Sequence, residues 1–256
     1  MRILLVNDDG FDAPGFEIMR KVAAELSDDV WVVAPATDQS GLAHSLTLSH
    51  PLRVKTVDER NFILHGTPTD CVIMGVRELL PSPPDLVLSG VNLGQNVADD
   101  VTYSGTVAGA MEGALLGIRS IALSQRVDWA SDAPIKWQAT LKHAPSIVDT
   151  LLAADFTPPT FINVNFPDKE PEDIDGVSVV PQGALEHGLF TERRHDGRAK
   201  PYYWLRFQNR EPIGEGETDL SAVQNGRIAV TPLKPDLTDR DGMASLRSAF
   251  NSDVGA

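Results

Sequence analysis

Cysteine is almost absent. Cys71 stands alone in 256 residues, so no disulfide can form within the chain, which predicts a reducing compartment. Long hydrophobic runs are missing too: no window approaches the roughly 18 apolar residues of a membrane span, and mean hydropathy is −0.13. Only Arg2 precedes the first apolar run, which is short and ends in acids, so the N-terminus does not read as a signal peptide. These absences predict a soluble, cytoplasmic protein with no membrane partner. Positive charge is scarce, with 22 Lys and Arg against 36 Asp and Glu and a net charge of −14. A duplex binder needs a basic surface that displaces counterions, so binding of nucleic-acid duplexes is excluded as a class. A small anion is not excluded, but the positive charge it needs must be local: a metal ion, a helix N-terminus or a few Arg residues.

Several catalytic motifs are missing. There is no Gly-x-x-x-x-Gly-Lys-Ser/Thr phosphate loop, which argues against that type of nucleoside triphosphatase. "GVNLGQN" is not Gly-x-Gly-x-x-Gly, so dinucleotide binding has little support. No Gly-x-Ser-x-Gly elbow occurs, and the six His include no His-Glu-x-x-His pair.

What is present is a chain with 42% hydrophobic residues, enough for a core, and an alternation of strand-like and helical patterns through its first two-thirds. Residues 2–6, 30–35, 85–90, 120–124 and 160–167 read as buried strands, and 46–57 as an extended segment that Pro51 places at an edge or interrupts. Helical spacing runs over 16–26, 68–80, 106–117 and 135–154, where Pro145 is expected to kink or split the last. Such alternation predicts an α/β fold, a mostly parallel sheet flanked by helices on both faces. Beyond about residue 170 polar loops surround strand-like 202–207 and 227–236, followed by a short terminal helix at 239–250. The expected organisation is one domain over 1–256, with a core at 1–170 and a C-terminal hairpin-rich extension at 171–256.

Ligands of such sheets bind beyond the carboxyl ends of the strands, and three polar, Gly-containing loops follow strands here, at 7–15, 36–45 and 90–105. In the first, Asp8 and Asp9 directly follow the strand. Adjacent carboxylates repel unless a hard cation such as Mg²⁺ or Mn²⁺ takes their oxygens; the alternative is a solvated Asn-Asp-Asp-Gly turn. The second loop, "ATDQSGLAHS", offers the hydroxyls of Ser40 and Ser45, and His44 as a proton-transfer or phosphate-contacting group. In the third, Asn92 and Asn96 offer amide oxygens to a metal and N–H donors to an anion. Ser104 and Thr106 suit the N-cap of the following helix, whose first-turn N–H groups would face an anion. Asp99 and Asp100 read as solvated or loop-orienting, with extra metal ligation as the alternative.

"MRILLVNDDG", "VVAPATDQSG", "GTPTDCV", "LSGVNLGQN" and "YSGTVAGAMEG" together resemble the SurE (survival protein E) nucleotidases, and the similarity extends through "TDLSAVQNGRIAVTPLKPDLT". The resemblance implies a Rossmann-like core with a C-terminal extension. It implies one divalent metal ion per subunit, Mg²⁺ or Mn²⁺, held by Asp8, Asp9, Ser40 and Asn92, and phosphate contacts at Asn96, Ser104, Gly105 and Thr106. The implied activity is release of phosphate from nucleoside 5′-monophosphates, with 3′-monophosphates and short polyphosphate as further substrates. It also implies a homodimer or homotetramer formed through an arm at about 183–212. The corresponding mechanism is in-line attack by metal-activated water, with Asp8 or Asp9 accepting a proton. The rival reading is a nucleotide sensor that binds without hydrolysis.

Overall fold

The computed structural model describes residues 1–154, 156–207 and 210–253. In β1 (Arg2–Val6) four apolar residues run consecutively, and all four are fully buried. Successive side chains of a strand point to opposite faces, so such a run is stable only in a sheet covered on both sides. Ile3 and Leu5 enter one apolar cluster, Leu4 and Val6 another.

The first cluster is closed by α1 (Pro14–Leu26), whose Phe16, Met19, Val22 and Ala23 recur at helical spacing. The chain then forms β2 (Asp29–Pro35), β3 (Val54–Thr56) and β4 (Asn61–Leu64). The second cluster is closed by α2 (Pro68–Met74). Thr67 caps α2: its Oγ1 accepts from the Asp70 N–H at 3.1 Å while Asp70 Oδ2 accepts from the Thr67 N–H at 2.9 Å, a reciprocal capping box. A single π-turn at Gly75–Leu79 continues this helix, so the expected 68–80 segment is helical in two registers.

β5 (Leu86–Leu93), α3 (Gly105–Leu115), β6 (Arg119–Gln125), α4 (Trp137–Ala153) and β7 (Phe161–Phe166) complete the alternation. α4 runs as one helix through Pro145, so the expected split does not occur. Burial of Ala139, Thr140, Ala144, Ile147 and Val148 along one face offsets the single backbone hydrogen bond that proline removes. The segment 46–57 is a strand only at β3, on the sheet edge, and β4 is an element that sequence reading passed over.

After β7 come β8 (Val177–Val179), β9 (Ala184–Leu185), β10 (Leu189–His195), β11 (Pro201–Phe207), β12 (Pro212–Ile213), α5 (Asp219–Gln224), β13 (Ile228–Leu233) and α6 (Arg240–Asp253). The nine-stranded sheet has the order β3-β4-β2-β1-β5-β6-β7-β13-β8. Pairing is parallel from β4 through β7, while β13 runs antiparallel to β7 and parallel to β8. The late segment therefore extends the main sheet, and β10 and β11 form a separate antiparallel hairpin. The expected 183–212 arm includes residues 208–209, which lie outside the described residues. Among the described residues no helix is long and apolar enough to cross a membrane.

One carboxylate ties the late segment to the third loop. Asp219, fully buried, accepts the N–H groups of Ala98 at 3.0 Å, Gly183 at 2.8 Å and Leu220 at 2.7 Å. Asp219→Ala leaves these donors without that acceptor, and a loss of about 3 kcal/mol in urea unfolding is expected, since each unmet buried donor costs about 1–3 kcal/mol.

Candidate active site

Strand order reverses between β1 and β5: the chain steps outward from β1 through β2 to β4, then returns to the far side of β1. Crevices form beyond the carboxyl ends of such strands. Here the three loops meet. The Gln39 N–H donates to the Asp8 carbonyl at 2.8 Å, the Leu93 N–H to Asp9 Oδ2 at 3.0 Å, and the Ala43 N–H to the Tyr103 carbonyl at 3.2 Å.

The loops bound a cleft of about 500 Å³. Of the residues expected from sequence, Asp8, Ser40, Asn92, Asn96 and Ser104 line it, and Asp9, His44, Gly105 and Thr106 do not. Asp8 is buried and accepts a hydrogen bond from the Thr106 hydroxyl. Thr106 is itself fully buried, so its side chain supports Asp8 from below. Gly105 explains the close fit: a Cβ there would lie 2.8 Å from Asp8 Cβ and 2.9 Å from Asp8 Oδ2.

Burial pushes the Asp8 carboxyl above the ordinary carboxylate range, against the pull of the Thr106 hydrogen bond. Burial first and the Asp8 charge second push Asp9 up to about 6. Neither carboxylate has a Lys, Arg or His partner among the described residues, whose ion pairs all involve other acids.

Two uncompensated carboxylates fit a hard divalent cation. Among the described residues no three His, Cys, Asp or Glu side chains converge as a metal cluster, so further oxygens must come from neutral groups. Two are in place. The Ser40 hydroxyl donates to Asp38 Oδ1 at 2.6 Å, which leaves its lone pairs to a cation. Asn92 Nδ2 donates to the Gly94 carbonyl at 2.8 Å, which leaves Oδ1 free to accept. A register shift between Gly90 and Asn92 marks a bulge in β5, and bulges re-aim side chains at strand ends.

The N-cap of α3 borders the cleft at Ser104. Ser104 Oγ accepts the Val107 N–H at 3.0 Å and caps the helix. α3 lies close on the sheet because its inner face is glycine: a Cβ at Gly109 would lie 2.7 Å from Ser89 Oγ and 3.1 Å from Val6 Cγ2. Asn96 Nδ2 donates to Ser124 Oγ at 2.9 Å, and its carbonyl accepts from the side chains of Asn163 at 2.8 Å and Asn165 at 3.0 Å. These bonds fix the third loop over β6 and β7. Asp100 and Asp99 hold the loop from the other side, Asp100 against Arg210 at 2.6 Å and Asp99 against the Leu185 N–H at 2.7 Å. His44 stands away from the cleft, its Nε2 2.8 Å from Glu112 Oε2 on α3.

Thr106→Val is expected to move the acidic limb of the kcat/KM–pH profile toward higher pH. Asp8 then loses the hydrogen bond that opposes the effect of its burial and takes up its proton at higher pH.

Sequence reading did not find Tyr103, Arg126, Trp129, Phe207 or Arg210, which also line the cleft. Arg126 had a signal, since it follows the carboxyl end of β6. Phe207 and Arg210 had none: their partners, Tyr103 at 6.3 Å between ring centroids and Asp100, lie about a hundred residues away.

The fold and cleft define a doubly wound α/β protein with an acidic, cation-fitting site facing a helix N-terminus at the strand-order reversal. The family model described as survival protein SurE matches residues 3–188. "5′-nucleotidase SurE" of Allorhizobium ampelinum is 54% identical over 256 residues, covering all of both chains. The protein of the same name from Brucella canis is 55% identical over 252 residues, 98% of each chain. The crystal structure of the SurE protein from Aquifex aeolicus superposes with a TM-score of 0.83 at 40% identity, covering 98% of this chain and 100% of that one. The chain belongs to the SurE family.

Proposed function

We propose that the protein is a metal-dependent 5′-nucleotidase that releases phosphate from nucleoside 5′-monophosphates. The observation that carries this reading is the Asp8-Asp9 pair, which follows β1 without a cationic partner among the described residues, beside the capped N-terminus of α3. The name shared by relatives of 54–55% identity supports the same activity.

Asp8, Asp9, Ser40 and Asn92 would hold one Mg²⁺ or Mn²⁺. When bound, such a cation supplies Lewis-acid charge at the phosphoryl group and makes water more acidic. Ser104 and the first N–H groups of α3 orient the phosphate, with Asn96 beside them. Thr106 keeps Asp8 in place and Leu93 keeps Asp9 in place, through the bonds described above. Asp8 or Asp9 would accept a proton from the attacking water; burial raises both carboxyls, Asp9 to about 6 in the metal-free protein. Nothing in this chemistry requires a covalent intermediate, because phosphoryl transfer is catalysed chiefly by positioning and charge. The exposed aromatic side chains of β11, Tyr203 and Trp204 among them, support self-association into a homodimer or homotetramer.

The test is phosphate release from a panel of 5′- and 3′-nucleoside monophosphates and short polyphosphate, in EDTA and after Mg²⁺ or Mn²⁺ is restored. Release from 5′-monophosphates that disappears with chelator and returns with metal is expected. Folded protein that binds AMP without releasing phosphate under any metal would establish the sensor instead.

A further inference from the structure

We infer that the loop after β6 is the substrate-recognition wall of this cleft, with Trp129 stacking on the nucleobase and Arg126 pairing with the phosphate. The inference rests on the nucleotidase reading and adds to it the groups that tell a nucleotide from a bare phosphate ester.

Trp129 is 72% exposed yet lines the cleft. Its Cζ2 lies 3.8 Å from the point where a side chain would begin at Gly94, and Asn92 Nδ2 lies 3.8 Å from that same point. The indole therefore borders the loop that carries Asn92. Trp129 has no ring partner among the described residues. A lone exposed apolar side chain is ordinary on a protein surface; this one sits at the mouth of the cleft, beside the metal-fitting oxygens. Tyr103 and Phe207 give the same cleft a second aromatic surface. A planar base presents a π-face that such groups bind with little sequence preference.

Arg126 supplies the charge. Two arginines line the cleft. Arg210 is committed, at 2.6 Å from Asp100 and with its guanidinium 4.8 Å over Phe207. The Arg126 guanidinium makes no hydrogen bond or ion pair with the described residues, although its backbone N–H donates to the Phe166 carbonyl at 2.9 Å. A phosphate entering beside Asp8 meets negative charge, and Arg126 is the uncommitted cation among the described lining residues. Guanidinium is suited to paired hydrogen bonds with phosphate oxygens.

The wall is fixed in place. The Asp128 N–H donates to Asp168 Oδ2 at 3.2 Å, and Asp128 Oδ1 accepts the Ala130 N–H at 3.0 Å. These bonds bracket Trp129 on both sides.

The experiment compares AMP with ribose 5-phosphate, which carries the phosphate and sugar but no base. For Trp129→Ala, kcat/KM for AMP relative to ribose 5-phosphate is expected to fall roughly 10-fold or more, mainly through KM, as loss of one base–aromatic stack implies. Trp129→Phe restores most of the ratio. For Arg126→Ala, kcat/KM is expected to fall roughly 10–100-fold for both substrates, the effect of removing one charged phosphate contact. An unaltered ratio in Trp129→Ala, or wild-type kcat/KM in Arg126→Ala, overturns the assignment. Equilibrium dialysis of labelled AMP against the same proteins in EDTA decides the wall without turnover. AMP binding weakened about 10-fold by Trp129→Ala supports it, and equal binding overturns it. Wild-type protein that binds AMP but hydrolyses neither ester counts against the nucleotidase reading alone.

Discussion

Asp9→Asn is expected to lower kcat/KM by on the order of 10²–10³-fold at limiting Mg²⁺ and at the same time to stabilise the metal-free protein. The two effects share a cause. Burial and Asp8 raise Asp9 to about 6, so the folded chain holds the Asp9 proton more tightly than the unfolded chain does. The penalty for charging Asp9 is absent below the ordinary carboxylate value, near 4, and fully present above about 6. Without metal, the wild-type protein therefore loses stability across that window as pH rises. Asparagine carries no charge, and its Oδ1 can still accept the Leu93 N–H. In EDTA near pH 7.5 the variant should exceed wild type by on the order of 1 kcal/mol, with the gap closing near pH 4. Added Mg²⁺ should reverse the order, because only the wild type gains a tightly bound cation. Urea midpoints at both pH values, with and without metal, check each arm. A variant that loses stability in EDTA near pH 7.5 would contradict the reading of Asp9 as an uncompensated charge.

Gly105→Ala should be nearly as damaging to activity, through geometry alone. The added methyl would lie 2.8 Å from Asp8 Cβ and 2.9 Å from Asp8 Oδ2, closer than carbon atoms pack. Gly105 opens α3, which lies so close to the sheet at Gly109 that the helix has little room to withdraw, so Asp8 must give way. Its displacement breaks the Thr106 bond and moves a ligand of the proposed metal. Misplacement by about 1 Å costs on the order of 10²-fold in rate, and overpacking of this kind costs about 1–3 kcal/mol in stability. Steady-state kinetics together with thermal unfolding separate the two. Wild-type kcat in a folded Gly105→Ala protein would show that Asp8 does not need the position it holds.

The parts of the site legible in sequence are those in which chemistry and element boundary fall within a few residues. Asp8-Asp9 could be read because the buried run before them defines a strand end. Ser104 could be read because a hydroxyl precedes a Gly/Ala helix. The parts that stayed hidden depend on side-chain direction or on distant partners. Thr106, one turn position beyond Gly105, is chemically as able to meet phosphate as Asp8, and only the packing of α3 decides for Asp8. Asp219, which ties the third loop to the late strands, gathers donors at Ala98 and Gly183 from separate segments. β4 is four residues long and opens on an asparagine, too short for a period to show. α5 is six residues, although its Thr218–Ser221 cap is a signal that sequence reading could have used. Pro145 misled in the other direction, since a local rule yielded to the burial of five residues along one face of α4.

The most direct measurement is Mn²⁺ binding by electron paramagnetic resonance titration on the wild-type protein and on Asp9→Asn, both without nucleotide. One Mn²⁺ per chain is expected in the wild type, with affinity falling as pH drops through about 6, where Asp9 takes up its proton. In Asp9→Asn the affinity should be at least about 10²-fold weaker. Equal stoichiometry and affinity in the two proteins would contradict a cation held by the carboxylates at the end of β1.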